Sequence, residues 1–480
     1  MSWVHGSRIK RNSLFAGLSQ LIRLLTNFVL FVGIARFYGP EAFGQFTAAH
    51  TLGTIFLLLG DFGFDVLLSA EISRRRHQVT ELAFTYFSAK ILFATSAALL
   101  MLFVALLQRV SQATQTLMEV FCLFVLFSSL TNYFFALFRS VEELQHETWI
   151  SFVMNSAMLG ALAVLGVFHA SLLTISLAFV ASRLLGLLVA LATSRHILRW
   201  TDFRFALPSV EQFRHISVFG LHAIFGTLLL TQDTILLSWW AGDTAVGVYQ
   251  SVIKLVSLAL LLSDISFFTL LPVMSRLHET ENEKWLAMGR LLHKTLAFLA
   301  LPMSFIMIVF PREVIALLYG LQGYGEAVPV LRIFGWVLLV RYSVEASAMM
   351  LTSSRRQSWR LVFSALACGL NYGLNQQVIP HAGAWGAAVV SLITNLALGC
   401  GFVLAARRDV LAWWKEWRTY LPLLVALCLG ALLWDGRYLS PYVSAPVSLA
   451  VIVITILHVG YLRQERDQIF SFDRNILSLR

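Results

Sequence analysis

Long apolar runs separated by short polar breaks make up almost the whole chain. Many runs reach about 18 residues, which lets a helix cross a hydrocarbon core of ~30 Å. The ~10-residue alternating strands of a membrane β-barrel are not visible in the sequence. The pattern therefore predicts an all-α polytopic membrane protein. Its fourteen predicted spans lie near 13–36, 44–70, 84–107, 117–138, 148–168, 171–194, 215–240, 246–275, 291–311, 328–352, 358–380, 383–406, 418–434 and 443–462.

Composition and charge support this class and orient the chain. Hydrophobic residues make up 58% of the sequence, charged residues 13%, and the mean hydropathy is +0.74. With the N-terminus inside, 26 of the 36 Lys and Arg fall on the predicted inner side, four on the outer side and six within spans. This bias predicts that both termini are cytoplasmic. The net charge of +10 then reflects contact with anionic lipid headgroups, and no nucleic-acid partner is expected.

The chain also repeats itself at an offset of 203 residues. The repeat keeps two glycines five residues apart and an aspartate 17 residues further on, each time within an apolar stretch. Such a duplication is typical of transporters built from two homologous bundles. The matching residues are Gly39, Ala42, Gly44, Phe46 and Asp61 in the first copy, and Gly242, Ala245, Gly247, Tyr249 and Asp264 in the second.

The offset predicts the domain organisation. Residues 1–194 form an N-lobe of six spans, 195–214 a cytoplasmic linker, and 215–406 a C-lobe of six spans. Residues 407–480 hold two additional spans and a tail. Both lobes start from the same side, so the predicted fold is a parallel, V-shaped repeat with two C-terminal helices appended. A cavity between the lobes is the expected substrate site.

Charged side chains within the spans are the candidate functional groups, because a charge at mid-membrane costs at least ~2.5–3.5 kcal/mol and normally faces a bundle interior or a wet cavity. Unpaired cations there would bind an anion, whereas unpaired carboxylates would suit a cationic drug. Both signs are present in similar number, so counting does not decide. The deep cations are Arg23, Arg183, Lys254 and Arg341, and the acids are Asp61, Asp65, Asp233, Asp264 and Glu345.

Depth within the spans suggests specific pairs. Arg23 and Asp61 lie at matching depth on antiparallel neighbours, and Asp65 is one turn from Asp61, so both acids could share the arginine. This group is either a structural ion pair or part of a gate. The second lobe has Gly226 where the repeat would place a partner for Arg23. Three further expectations are an Asp233–Lys254 pair, an intrahelical Arg341–Glu345 pair, and Lys90 and Arg332 snorkelling to the membrane surface.

Several function classes are excluded by what the sequence lacks. No predicted outer loop exceeds roughly 20 residues, and neither a GxxxxGK[ST] phosphate-binding loop nor an HExxH zinc motif is present. An ATP-driven pump and a membrane-anchored glycosyltransferase do not fit. The four cysteines lie in apolar spans without CxxC spacing, so they suggest no metal site or disulfide framework. The chain is predicted to be a non-enzymatic transporter that needs no cofactor.

The stretch IARFYGPEAFGQFTAAH at 34–50, followed by GDFGFD at 60–65 and SRRR at 73–76, resembles the opening of bacterial Wzx-type polysaccharide flippases. These belong to the multidrug/oligosaccharidyl-lipid/polysaccharide (MOP) superfamily. The resemblance implies alternating access through a cationic cavity that moves an undecaprenyl-diphosphate-linked oligosaccharide across the bacterial inner membrane. It implies Arg23, Arg183, Lys254 and Arg341 as substrate-binding cations. Asp61, Asp65, Asp233 and Asp264 are then the coupling or gating candidates.

The same resemblance implies membrane lipids as surroundings, and polysaccharide polymerase and glycosyltransferases as partners in assembly of O-antigen or another surface polysaccharide. Two alternatives stay open. A multidrug or metabolite antiporter of the same superfamily shares the two lobes but typically has twelve spans. An O-antigen polymerase or ligase shares the hydrophobicity but usually carries a long outer loop, and it would leave the repeat unexplained.

Overall fold

The computed structural model describes residues 2–61, 63, 68, 71–72, 79–206, 228, 231–415 and 450. These residues are almost entirely helical. The helices are α1 (Ser2–Asp61), α2 (Val79–Leu107), α3 (Gln112–Ser140), α4 (Leu144–Val167), α5 (Leu172–Ser194), α6 (Asp243–Thr280), α7 (Asn282–Val309), α8 (Pro311–Leu318), α9 (Ala327–Ser353), α10 (Gln357–Ala405) and α11 (Arg407–Lys415).

Nine of the helices in the described ranges are long and apolar enough to cross a membrane. One of them, α10, contains two predicted spans, and α1 contains the first predicted span and the second as far as Asp61. Helix α1 changes direction at Gly39, which precedes Pro40, and α10 changes direction at Gly383, three residues after Pro380. The remaining seven correspond to one predicted span each. The all-α membrane fold is thus confirmed. Residues 231–240 are also helical, but most of the seventh span and both C-terminal spans lie outside the described residues.

The chain divides into two compact units, Met1–Gln250 and Ser251–Arg480. In the first unit, α1 packs against α2, α3 and α4, and α3 also packs against α5. In the second, α9 is central and packs against α7 and α10. Helices α1 and α9 thus each contact several other helices of their own unit.

Residues that match across the repeat have matching conformations. Gly39 and Gly242 both have a positive φ, 79° and 84°. A side chain in this left-handed region is strained, so glycine is required where the chain turns between helical segments. Phe46 and its counterpart Tyr249 are both buried, with exposed fractions of 0% and 1%. The repeat therefore preserves local backbone geometry as well as residue type.

The second glycine of each copy allows a close approach of α1 and the start of α6, both within the first unit. A Cβ atom at Gly44 would overlap the backbone carbonyl of Asp243, and a Cβ atom at Gly247 would overlap that of Pro40. Pro40 and Asp243 are themselves separated by the repeat offset of 203 residues. The two copies thus meet through equivalent residues at a crossing where only glycine fits.

Alanine at Gly44 or Gly247 is therefore expected to lower the melting temperature of the purified protein. The added methyl would meet backbone, so the helices must separate, at a typical cost of ~1–3 kcal/mol or more. Gly160 in α4 is a matched control, since a Cβ there would meet open space. Its replacement by alanine should be neutral or stabilising by up to ~1 kcal/mol through helix propensity. Equal melting temperatures for all three variants would show that the crossing does not require glycine.

Candidate functional site

Asp61, at the end of α1, is the centre of a polar cluster in the first unit. Its Oδ1 lies 2.6 Å from Lys90 Nζ and accepts a hydrogen bond of 2.8 Å from Ser129 Oγ. Its Oδ2 accepts one of 2.9 Å from Asn132 Nδ2. Lys90 on α2 has an exposed fraction of 0%. The cluster joins three helices through a buried ion pair with good hydrogen-bonding geometry.

This arrangement corrects two predictions. Arg23 does not pair with Asp61, because the carboxylate is occupied by Lys90, Ser129 and Asn132. Lys90 does not snorkel, since it is fully buried. Its position near the start of the third predicted span suggested easy access to the membrane surface. The acid on the neighbouring helix instead provides a counter-charge inside the unit.

Arg23 pairs with Glu147, which was not among the predicted site residues. Arg23 Nη2 lies 3.3 Å from Glu147 Oε1. Arg139, at the end of α3, donates two hydrogen bonds to the same carboxylate, at 2.7 Å and 3.0 Å. Glu147 is in the first turn of α4 and is buried. It immediately precedes the fifth predicted span at 148–168, so in the sequence it appeared to belong to a polar loop.

Arg183 differs from the other deep charges of the first unit. Its Nη1 lies 3.2 Å from the sulfur of Met154, and its guanidinium lies over the ring of Phe179 at 4.5 Å. Its Nε is buried and has no hydrogen-bond partner. No described carboxylate lies within ion-pair distance of it, and Arg23 is near enough to interact with it electrostatically. Within the part of the chain that the structure describes, Arg183 therefore has no ion-pair partner.

A second group of charges lies in the second unit, on α6, α9 and α10. Arg341 interacts electrostatically with Glu345, one turn along α9, and with Asp264, the repeat counterpart of Asp61. Arg360, which also lies over the ring of Phe267 at 4.7 Å, belongs to the same group. Asp264 is exposed, whereas Asp61 is partly covered. Both acids therefore have a basic neighbour, Lys90 beside Asp61 and Arg341 near Asp264. The contrast that the sequence suggested between Arg23 and Gly226 stays a prediction, since Gly226 lies outside the described residues.

The remaining predicted site residues are less connected to these groups. Asp233 is buried and accepts a hydrogen bond of 2.6 Å from Tyr249 Oη. Lys254 lies on α6, and its pairing with Asp233 stays a prediction. Asp65 lies outside the described residues. The substrate and coupling roles of all these residues are likewise predictions.

The fold is similar to those of several solved transporters. An inward-facing multidrug resistance MATE family transporter of the MOP superfamily matches with a TM-score of 0.67 and 14% identity, over 84% of this chain and 99% of that one. The lipid II flippase MurJ, in an inward closed conformation, matches with a TM-score of 0.73 and 13% identity, over 95% and 99%. A MOP superfamily transporter from Pyrococcus furiosus matches at 0.60 and 14%, over 85% and 96%.

The protein thus has the fold of a multi-pass membrane transporter of the MOP superfamily. No curated protein sequence matches the chain significantly. The sequence family described as polysaccharide biosynthesis protein matches residues 9–278. Because this match covers more than half of the chain, the protein belongs to that family.

Proposed function

We propose that this protein is a flippase of the Wzx type. In this proposal it moves an undecaprenyl-diphosphate-linked oligosaccharide across the bacterial inner membrane by alternating access, with both termini in the cytoplasm. Membership of the polysaccharide biosynthesis family supports this cargo class. The fold shared with MATE transporters and with the lipid II flippase MurJ supports the mechanism. The proposal includes the use of this oligosaccharide in assembling O-antigen or another surface polysaccharide.

The observation that carries the proposal is that Arg183 has no carboxylate partner among the described residues. Arg183 is partly buried, and its Nε atom is fully buried; such a cation is costly unless an anion or hydrogen-bond acceptors compensate it. Arg183 has a thioether, an aromatic face and an unsatisfied Nε, but no described carboxylate. A diphosphate oxygen would supply the missing charge, and guanidinium matches phosphate geometry particularly well. We therefore assign Arg183 as the main diphosphate contact, with Arg23 as its neighbour.

In the second unit, the charges near Asp264 are the best candidates for coupling. Arg341, Glu345 and Arg360 interact electrostatically with Asp264. The Asp264 side chain is exposed, so a proton or cation could reach it. Arg341 and Lys254 complete the proposed set of substrate-binding cations. Asp61 and Asp233, in contrast, are engaged by polar neighbours. We propose a supporting role for these two acids in gating.

Deleting the gene should block surface polysaccharide assembly and make lipid-linked oligosaccharide accumulate on the inner leaflet. Restoring the wild-type gene should reverse both effects.

The multidrug or metabolite antiporter of the same superfamily is the second candidate, because the MATE similarity applies to it equally. If the protein were such an antiporter, the deletion strain would have normal surface polysaccharide together with altered sensitivity to cationic drugs or altered metabolite export. This outcome would overturn the flippase assignment.

A further inference from the structure

Two histidines and a glutamate form a compact cluster at one end of the first unit. Glu143 precedes α4, His146 is in its first turn, and His196 follows the end of α5. Each side chain is partly or largely solvent-exposed, at 36%, 28% and 45%. His146 is next to Glu147 in the chain, but none of the three cluster residues belongs to the proposed transport site.

The side chains converge on a single oxygen atom. Glu143 Oε2 lies 2.6 Å from His196 Nε2 and 3.3 Å from His146 Nε2. The ligand atoms of the three residues all lie within 4.8 Å of one another. Zinc bound at ~2.0–2.2 Å to nitrogen and carboxylate oxygen separates neighbouring ligand atoms by ~3–3.5 Å. The 3.3 Å separation already fits this spacing, whereas the 2.6 Å separation would have to lengthen when an ion binds.

The second ring nitrogen of His196, Nδ1, has the hydrogen-bond partner that is common for a metal-bound histidine. Its Nδ1 makes a short hydrogen bond with the backbone carbonyl of Thr193, which can only accept, so Nδ1 carries the hydrogen. In the neutral ring the lone pair of Nε2 then faces the Glu143 carboxylate. Two lone pairs at this distance repel, so either a proton on Nε2 or a metal ion must lie between them. Metal-bound histidines commonly have this same contact between the second ring nitrogen and a carbonyl.

We propose that Glu143, His146 and His196 bind a divalent transition-metal ion, with zinc the best match. Two imidazoles and one carboxylate leave a fourth position for water, and this donor set suits zinc. The solvent-exposed ligands give the ion direct access. The remaining acid of the same turn, Glu142, lies next to Glu143 and has a positive φ of 66°.

The metal would join the turn between α3 and α4 to the segment that follows α5. That segment is already held against the first unit by aromatic contacts. Trp200 lies 5.7 Å from Phe84 and 5.4 Å from Phe87, measured between ring centroids, and Phe203 lies 5.4 Å from Phe84. Metal binding would fix the preceding residues as well. The site is therefore expected to stabilise the start of the connection that leads out of the α5 helix.

Titrating zinc into the full-length protein, purified without a histidine tag and washed with chelator, tests the proposal. Isothermal titration calorimetry should show one zinc bound per chain, and zinc should raise the melting temperature. Cobalt should give the intense visible absorption of a tetrahedral site. His196→Ala and His146→Ala should each weaken zinc binding by about tenfold or more. His169→Ala, at an exposed histidine in the turn after α4, should bind zinc like the wild type.

Two outcomes would overturn the proposal. The first is a wild-type protein that binds no zinc, in which case the cluster is held by a proton between the carboxylate and the imidazoles. The second is zinc binding that His196→Ala and His146→Ala leave unchanged, which places the ion elsewhere. Neither outcome bears on the flippase assignment, because transport of lipid-linked oligosaccharide is measured separately.

Discussion

Replacing Arg183 with glutamine is expected to reduce transport of lipid-linked oligosaccharide by about tenfold to a hundredfold. Hydrogen bonds to charged groups contribute ~1.5–3 kcal/mol, and each ~1.4 kcal/mol corresponds to a factor of ten. The substitution should not destabilise the fold, because Arg183 has no described counter-charge to lose. Its melting temperature should equal or exceed that of the wild type. Transport is measured in proteoliposomes and stability by thermal unfolding in detergent.

Arg109→Gln is the matched control, since Arg109 is an exposed arginine of the same unit and the substitution removes the same charge. It should transport at the wild-type rate. Arg183→Lys should retain part of the activity, because the charge remains while the planar guanidinium is lost. A markedly lower melting temperature for Arg183→Gln with unchanged transport would show that the arginine is structural and would remove it from the proposed site.

Asp61→Asn is expected to have the largest effect on stability. It keeps the shape of the side chain but removes the carboxylate that lies 2.6 Å from the fully buried Lys90. Breaking a buried ion pair by changing one partner typically costs ~3–5 kcal/mol. The melting temperature should fall well below that of the wild type. Glu119→Gln removes an acid from an exposed position on α3 and should change stability little.

The double variant Asp61→Asn/Lys90→Met distinguishes a structural role of the Asp61–Lys90 ion pair from a role of Asp61 in gating. Replacing both charges removes the unmatched ammonium, so stability should recover substantially relative to Asp61→Asn alone. If Asp61 also takes part in gating, the recovered protein should still transport poorly. A double variant no more stable than the single one would contradict the ion-pair account of this cluster.

The sequence predicted the membrane class, the helices and the repeat because hydrophobic periodicity and glycine chemistry are local signals. Gly39, Gly44, Gly242 and Gly247 were identified by spacing alone, and the structure explains them by positive φ and by a close helix crossing. The sequence also shows that no acid lies one turn away from Arg183 on its helix. These features depend on residues near one another in the chain.

The ion pairs were less predictable, because they depend on how helices rotate about their own axes. Depth along a span placed Arg23 beside Asp61, but packing turns Asp61 towards Lys90 and Arg23 towards Glu147. Glu147 lies at the boundary of a predicted span, where an acid normally indicates a solvated loop. Its buried position follows from Arg139, which approaches from the end of α3. Only the three-dimensional arrangement brings these residues together.

The most direct test of the account is a flipping assay with the purified protein in proteoliposomes that carry a lipid-linked oligosaccharide. The fraction of the oligosaccharide exposed on each leaflet is followed with a membrane-impermeant sugar-modifying enzyme. Rapid exchange between leaflets is expected with the wild type and with Arg109→Gln. With Arg183→Gln, exchange should be about tenfold to a hundredfold slower. Exchange in wild-type vesicles no faster than in protein-free vesicles, with the protein folded, would contradict it.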